Sequence, residues 1–283
     1  MKLDAHQHFW RYSAAEYPWI PSGSELQRDW LPHDLATLQT PLGFDGSIAV
    51  QARQSLEETR WLLSLADQHP RIKGVVGWVD LRSPELTAQL KEFAAHPKFV
   101  GVRHVVQDEP DDRFMLGEEF LRGLGQLHSF GLSYDLLVFP KQLPAACEIA
   151  GRFPNQRFVL DHIAKPAITE RRLEPWAEQI RELARRPNVF CKLSGLVTEA
   201  DHQRWRESDL LPYLDVVAEA FSPARLMIGS DWPVCLLAAS YERTMNVVLT
   251  WAKQLSPAEQ AGILGDNCAR FYFDNFSHQA KIE

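Results

Sequence analysis

The sequence predicts a (β/α)8 TIM-type barrel built as a single domain over residues 1–283. Three observations carry that expectation. Eight short runs of β-branched and apolar residues recur along the chain, helical patterns separate most of them, and no linker or composition break divides it. A dinucleotide-binding open sheet is disfavoured, because no GxGxxG follows the first run.

The first run, residues 2–6, leads into Asp4-Ala5-His6-Gln7-His8. A long irregular connection, 8–44, follows. Its FWRYSAAEYPWI stretch carries Phe9, Trp10, Tyr12, Tyr17 and Trp19 and is expected over the mouth of the barrel. The second run, 47–51 (SIAVQ), is apolar on both faces, as a strand inside a parallel sheet should be. LEETRWLLSLADQH then repeats apolar residues at helical spacing. The third run, 74–79, contains VVGWV and precedes PELTAQLKEFAAH, where Ser83-Pro84 reads as an N-cap and first helical proline. The fourth, 99–104, leads to EEFLRGLGQLHSFG, which Gly131 closes. The fifth and sixth span 132–139 and 157–162, the latter ending in FVLDH. The seventh, 189–194, precedes the helical DLLPYLDVVAEAF, the eighth spans 225–230, and Ser256-Pro257 opens a further helix.

Composition narrows the function. Lys and Arg number 30 against 37 Asp and Glu, a formal charge of −7, and 45% of residues are hydrophobic. That describes an ordinary globular protein and excludes disorder and disulfide scaffolds. The acidic balance argues against charge-driven nucleic-acid binding, with a local basic pocket still allowed. Cys147, Cys191, Cys235 and Cys268 form no CxxC pair and read as reduced structural thiols. The start, MKLDAHQHFW, lacks the apolar core of a signal peptide. The longest uncharged apolar stretch, 232–241, covers about half a membrane span. A cytoplasmic location with no membrane contact is expected; the oligomeric state stays open.

Barrels of this class take their chemistry from the C-terminal ends of the strands. Alternation puts His6 and His8 on one side of the first strand, where two imidazoles can bind one divalent metal or hydrogen-bond a substrate. A hydrogen-bonded pair of core histidines is the plainer alternative. Asp231, at the end of the eighth run, suits a metal ligand, a general base or a helix N-cap. His162, at the end of the sixth, is expected to face the axis, with Asp161 then turned away. Arg53, Arg103, His104 and Lys192 sit at other strand ends and can bind a carbonyl, hydroxyls or a carboxylate, or form structural ion pairs. Lys192 lies inside an apolar strand and needs a partner, for which Asp231 is the candidate. Trp10 and Trp232 are candidate substrate platforms, with packing the alternative. His33, His69, His96, His128, His202 and His278 receive no role.

The segments HQHFWRY, SIAVQAR, VVGWVDLR, GVRHVVQDE, LDHIAKP, VFCKLSGLVTEADH, LMIGSDWPVCLLAASY and GDNCARFY run through the whole chain. Together they resemble the amidohydrolase superfamily, in its L-fuconolactonase and L-rhamnonolactonase-like branch of sugar-lactone hydrolases. The resemblance implies an enzyme that opens the ring ester of an aldonolactone, as in L-fucose breakdown. Carried over, Asp231 is the base that activates water to attack a small-molecule substrate, and His6, His8 and His162 line the site and with Asp231 form any metal site. On that mechanism His104 or Arg103 is expected to stabilise the oxyanion and His162 to orient the water or carbonyl. Two departures stand out. The fourth strand ends in Arg103-His104 where dinuclear members carry a bridging Lys or Glu, and the fifth ends in Val138-Phe139 where they carry His. The resemblance therefore implies one metal ion at most, zinc first among the candidates, or no required cofactor. An anionic lactone of the muconolactone or pyrone dicarboxylate type, a metal-dependent decarboxylation, and a non-catalytic binding barrel are the competing readings.

Overall fold

The computed structural model describes residues 1–274; residues 275–283, and with them His278, lie outside the described part. Eight parallel strands follow one another around the sheet: β1 Leu3–Gln7, β2 Gly46–Val50, β3 Ile72–Gly77, β4 Phe99–His104, β5 Ser133–Leu136, β6 Phe158–Leu160, β7 Val189–Leu193 and β8 Leu226–Ile228. The backbone N–H groups of His8 and Asp231 donate to Trp232 and His6 carbonyls at 2.6 and 2.8 Å and bring the last strand end to the first. Asp4 stitches the same seam, accepting from the Ser230 N–H (2.9 Å) and the Tyr241 hydroxyl (3.3 Å). The result is the (β/α)8 barrel that the alternating pattern predicts.

One helix follows each strand: α1 Pro32–Gln39, α2 Leu56–Gln68, α3 Leu86–Ala94, α4 Glu118–Leu127, α5 Leu143–Arg152, α6 Trp176–Ala184, α7 Glu207–Phe221 and α8 Tyr241–Trp251. Two more, α9 Pro257–Ala261 and α10 Asn267–Phe273, end the described chain. Ser256 caps α9 through the Glu259 N–H as expected, and Gly131 takes the left-handed conformation, φ 71°, that only glycine adopts cheaply. Ser83 instead accepts from the Glu85 N–H, and α3 starts two residues later than Ser83-Pro84 predicts. The connection 8–44 is less irregular than expected, since α1 occupies its end.

Apolar layers account for the packing. Between strands and helices lie residues such as Leu62, Phe158, Ile180 and Leu214. Inside the barrel, Leu3, Ile48, Val76, Val100, Val159 and Met227 form a second cluster that Cys268, Phe271 and Tyr272 of α10 close. The first loop is pinched by paired backbone hydrogen bonds between Trp10 and Trp30 (3.1 and 2.9 Å). It buries Phe9, Trp10, Tyr17, Ile20 and Leu26 as a small core of its own. Among the described residues no helix is long and apolar enough to cross a membrane.

If α10 is a structural stopper for the barrel, Phe271→Ala should cost about 3–5 kcal/mol of stability. Urea unfolding measures it, and a loss within error of zero would remove that role.

Candidate active site

The end of β1 places both imidazoles at one point. His6 Nε2 and His8 Nε2 are 3.2 Å apart, and Asp231 Oδ1 lies 3.2 Å from His8 Nε2 and 3.7 Å from His6 Nε2. His8 Nδ1 donates to the Val50 carbonyl at the end of β2 (2.8 Å), so its other nitrogen presents a lone pair to this centre. His162 Nε2 stands 3.9 Å from the same carboxylate oxygen, and its Nδ1 is hydrogen-bonded to Ser194 Oγ at 2.9 Å. His6, His8 and Asp231 thus form a candidate cluster for one metal ion, on a donor set that suits zinc.

The backbone after β6 corrects one expectation. Asp161 does not turn away from the axis: it accepts from Arg103 Nη1 (3.0 Å), pairs with Lys192 Nζ (2.9 Å) and faces His6 Nδ1 (3.3 Å). His162, the next residue, reaches the centre as well. Strand alternation would forbid this, but the strand stops at Leu160, and His162, Ile163, Ala164 and Lys165 all take positive φ (48–60°). Such a run costs free energy at each residue, and the tertiary contacts around His162 hold it. Gly195 is part of that support. Its φ is +67°, and a Cβ there would sit 2.7 Å from the His162 ring.

Lys192 does not pair with Asp231. Its ammonium lies 2.5 Å from Asp135 Oδ2 and 2.9 Å from Asp161, and Asp135 also accepts from the Tyr272 hydroxyl (2.9 Å). Lys192 therefore lies beneath the pocket instead of lining it. Asp135 was missed from sequence, although a lone carboxylate in the apolar run SYDLLV is the natural counterpart of a lone lysine in CKLSG.

The strand ends open into a cleft of about 590 Å3. His8, Arg103, His162 and Asp231 reach it from the barrel, and Arg53, Lys165, Val234 and Leu237 from the surrounding loops. Glu16, Trp19, Asp108 and Glu109 also line it and were not singled out from sequence as a group. Arg53 pairs with Glu16 at 2.8 Å. A larger surface cleft, about 680 Å3 beside Trp205 and Arg206, holds none of the strand-end groups. Trp10, Trp232 and His104 are absent from the lining. Trp10 is fully buried, its indole donating to the Arg28 carbonyl (3.0 Å), and Trp232 packs edge-on against Trp30 and Phe9. His104 lies on the opposite side of β4 from Arg103, and its Nε2 donates to Glu109 Oε1 at 2.6 Å.

Glu58, at the start of α2, holds two mouth loops together. It accepts from the Ala52 and Arg53 N–H groups (3.0 and 2.9 Å) and from the Tyr17 hydroxyl (3.1 Å).

Burial and charge set the protonation states. Burial pushes the His6 and His162 imidazoles well below their ordinary value and keeps them neutral. Burial would raise Asp231, but His162, His8 and Lys165 outweigh it and hold the carboxyl below its usual range. Asp161 is likewise desolvated, yet Lys192, His6 and Arg103 hold it well below the carboxylate norm. Burial raises Asp135 to about 6 and Glu58 to about 7.

Three measurements test this geometry. Gly195→Ala should displace His162 and lower kcat/KM about a hundredfold in a folded protein, whereas unchanged kinetics would show that the His162 turn tolerates movement. Lys192→Met leaves buried Asp135 without a cation and Asp161 with Arg103 alone, and should cost about 3–5 kcal/mol in urea unfolding. Glu58 keeps its proton to about pH 7 when folded but only to 4.5 when unfolded, so the native state binds the extra proton in between. Its contribution to stability therefore falls as pH rises through that window. Wild-type stability measured relative to Glu58→Gln should drop from about pH 5 to about pH 8, and a constant difference would contradict the assignment.

Relatives of known name align over nearly the whole chain. An L-fucono-1,5-lactonase of Burkholderia multivorans is 47% identical over 284 residues, covering 96% of each chain. An L-fucono-1,5-lactonase of Burkholderia ambifaria is 38% identical over 280 residues, 96% of this chain and 95% of that one. The crystal structure of a Burkholderia multivorans amidohydrolase with bound zinc superposes with a TM-score of 0.93 at 47% identity, over 96% of this chain and 99% of that one. The amidohydrolase family itself matches residues 3–273, and with its barrel closed over His6, His8, His162 and Asp231 the chain belongs to that family.

Proposed function

We propose that this chain hydrolyses the ring ester of a neutral sugar lactone of the L-fucono-1,5-lactone class. The observation that carries the reading is an ionised Asp231 beside the neutral imidazoles of His6 and His162, with His8 Nε2 at 3.2 Å, at the floor of a pocket in a chain 47% identical to an enzyme of that name. Asp231 Oδ1, with His8 and His162 beside it, can hold a water and take its proton as the oxygen attacks the lactone carbonyl. Arg103, buried at the pocket floor, supplies positive charge where the oxyanion develops. The protonated Asp231 then returns its proton to the departing ring oxygen, which leaves as the new hydroxyl. His162 orients water or carbonyl, and Ser194 fixes its ring.

The residues also fit a single divalent ion, which His6, His8 and Asp231 would hold with His162 alongside. When bound, such an ion supplies Lewis-acid polarisation and lowers the pKa of a bound water.

Charge favours a neutral substrate over a dicarboxylate. The cleft carries four carboxylates, Glu16, Asp108, Glu109 and Asp231, against three cations, of which Arg53 is paired with Glu16 (2.8 Å), Arg103 with Asp161 (3.0 Å) and Lys165 more loosely with Glu199 (3.9 Å). No clamp of uncommitted cations stands ready for substrate carboxylates. Four buried, unpaired thiols support a reducing, cytoplasmic setting.

Proton release in weak buffer, with L-fucono- and L-rhamnonolactones and with and without chelator, tests the reading. Turnover of a neutral lactone is the expected result, and Asp231→Asn should lower kcat about 10³-fold. Chelator-resistant turnover separates a metal-independent lactonase from a metal-dependent one. Release only from anionic lactones, or decarboxylation without ring opening, would overturn the proposal.

A further inference from the structure

His104 is buried and does not line the cleft, yet it is built into a hydrogen-bonded chain that ends there. The Trp78 indole N–H points at His104 Nδ1 (3.4 Å), the ring stacks on Phe114 (centroids 4.9 Å apart, 20° between planes), and Nε2 meets Glu109 Oε1 at 2.6 Å. An Nδ1 that accepts from indole leaves the hydrogen on Nε2, so the imidazole donates to the carboxylate. His104 is almost fully buried, whereas Glu109 is 22% exposed and lines the cleft. The chain thus runs from the barrel wall outward and holds one carboxylate still at the substrate's edge. Asp108 beside it and Glu16 across the first loop add negative charge to the same cleft.

We propose that Glu109 is a specificity residue, that it accepts hydrogen bonds from lactone hydroxyls and repels anionic lactones, and that His104 is the residue that positions it. The inference rests on the sugar-lactone reading and deepens it by naming the group that selects the uncharged substrate. A fixed carboxylate accepts from hydroxyls through charge-assisted bonds and makes a second carboxylate in the pocket costly. Neither effect touches the scissile ester, so both should act on binding more than on turnover.

Two variants distinguish charge from position. Glu109→Gln keeps an oxygen for the His104 N–H but removes the charge. It should raise KM for a neutral aldonolactone about tenfold while kcat changes no more than about twofold. In the same variant, kcat/KM for a carboxylate-bearing aldarolactone, taken relative to the neutral lactone, should rise at least about tenfold. His104→Phe keeps the ring stack but loses the donor, so the carboxylate stays and loosens. KM for the neutral lactone should rise, with no gain for the anionic one. His104→Gln, which restores a side-chain N–H, should recover part of the lost KM and serves as the test if the Phe variant fails to fold. A loss of kcat at unchanged KM, or unchanged KM and unchanged discrimination in Glu109→Gln, would overturn the inference. Unchanged kinetics in the His104 variants alone would overturn the positioning role. Wild-type protein runs alongside. Turnover there with an unaltered Glu109→Gln defeats only this inference, while no wild-type turnover of neutral lactones defeats the lactonase reading with it.

Discussion

The catalytic end of this barrel depends on one fully buried cation. Lys192 sits between Asp135 and Asp161 at 2.5 and 2.9 Å, and Arg103 reaches Asp161 from the other side at 3.0 Å. Two positive and two negative groups therefore share a space buried from solvent, where any one of them alone would be expelled or neutralised. The arrangement has a directional outcome. An ionised Asp161 next to His6 Nδ1 favours the hydrogen on that nitrogen, and the lone pair of His6 Nε2 then faces the Arg103 guanidinium (3.3 Å), His8 and Asp231. Below the ion cluster the barrel is apolar and closed by α10, whose Tyr272 hydroxyl joins the network at Asp135. Core, stopper and chemistry are thus mechanically continuous.

Above that floor the fold divides its labour. Strand ends supply the groups that are most firmly held: His6, His8 and Asp231 are tied across the β1–β8 seam, and Arg103 is tied to Asp161 past the end of β6. Loops supply the walls, and they are fastened instead of free. Glu58 joins the first and second loops, His104 holds the fourth, and the Trp10–Trp30 pinch gives the first loop its own core. The aromatic residues of that loop act mainly as its packing, and Trp19 alone among its tryptophans reaches the cleft. Their burial makes the mouth a defined surface, which selection between similar sugars requires.

The turn after β6 is where local rules and tertiary demands part. Four successive non-glycine residues with positive φ are unfavourable in isolation, and nothing in LDHIAKP announces them. They place Asp161 in the ion cluster and His162 beside Asp231, two jobs that a straight strand cannot give to adjacent residues. Gly195, with no side chain against the His162 ring, leaves the space the turn needs. The strain sits where two adjacent side chains both reach the barrel axis, a geometry that regular structure cannot provide.

Much of this was legible in the residues alone. Alternating apolar runs and helical patterns identify the barrel because a parallel sheet buried on both faces leaves a strong periodic trace. His6, His8, His162 and Asp231 could be selected because the architecture confines chemistry to strand ends, and period-two alternation brings two histidines to one side. What the sequence does not encode locally is who pairs with whom across the barrel. The partner of Lys192 is Asp135 and Asp161 and not Asp231, Arg103 enters the pocket while His104 turns behind it, and Trp10 and Trp232 pack while Trp19 lines the cleft. Those outcomes depend on register between strands distant in sequence and on a left-handed turn held by contacts made only after folding. Local periodicity fixes which residues reach a strand end; the closed barrel decides which of them meet.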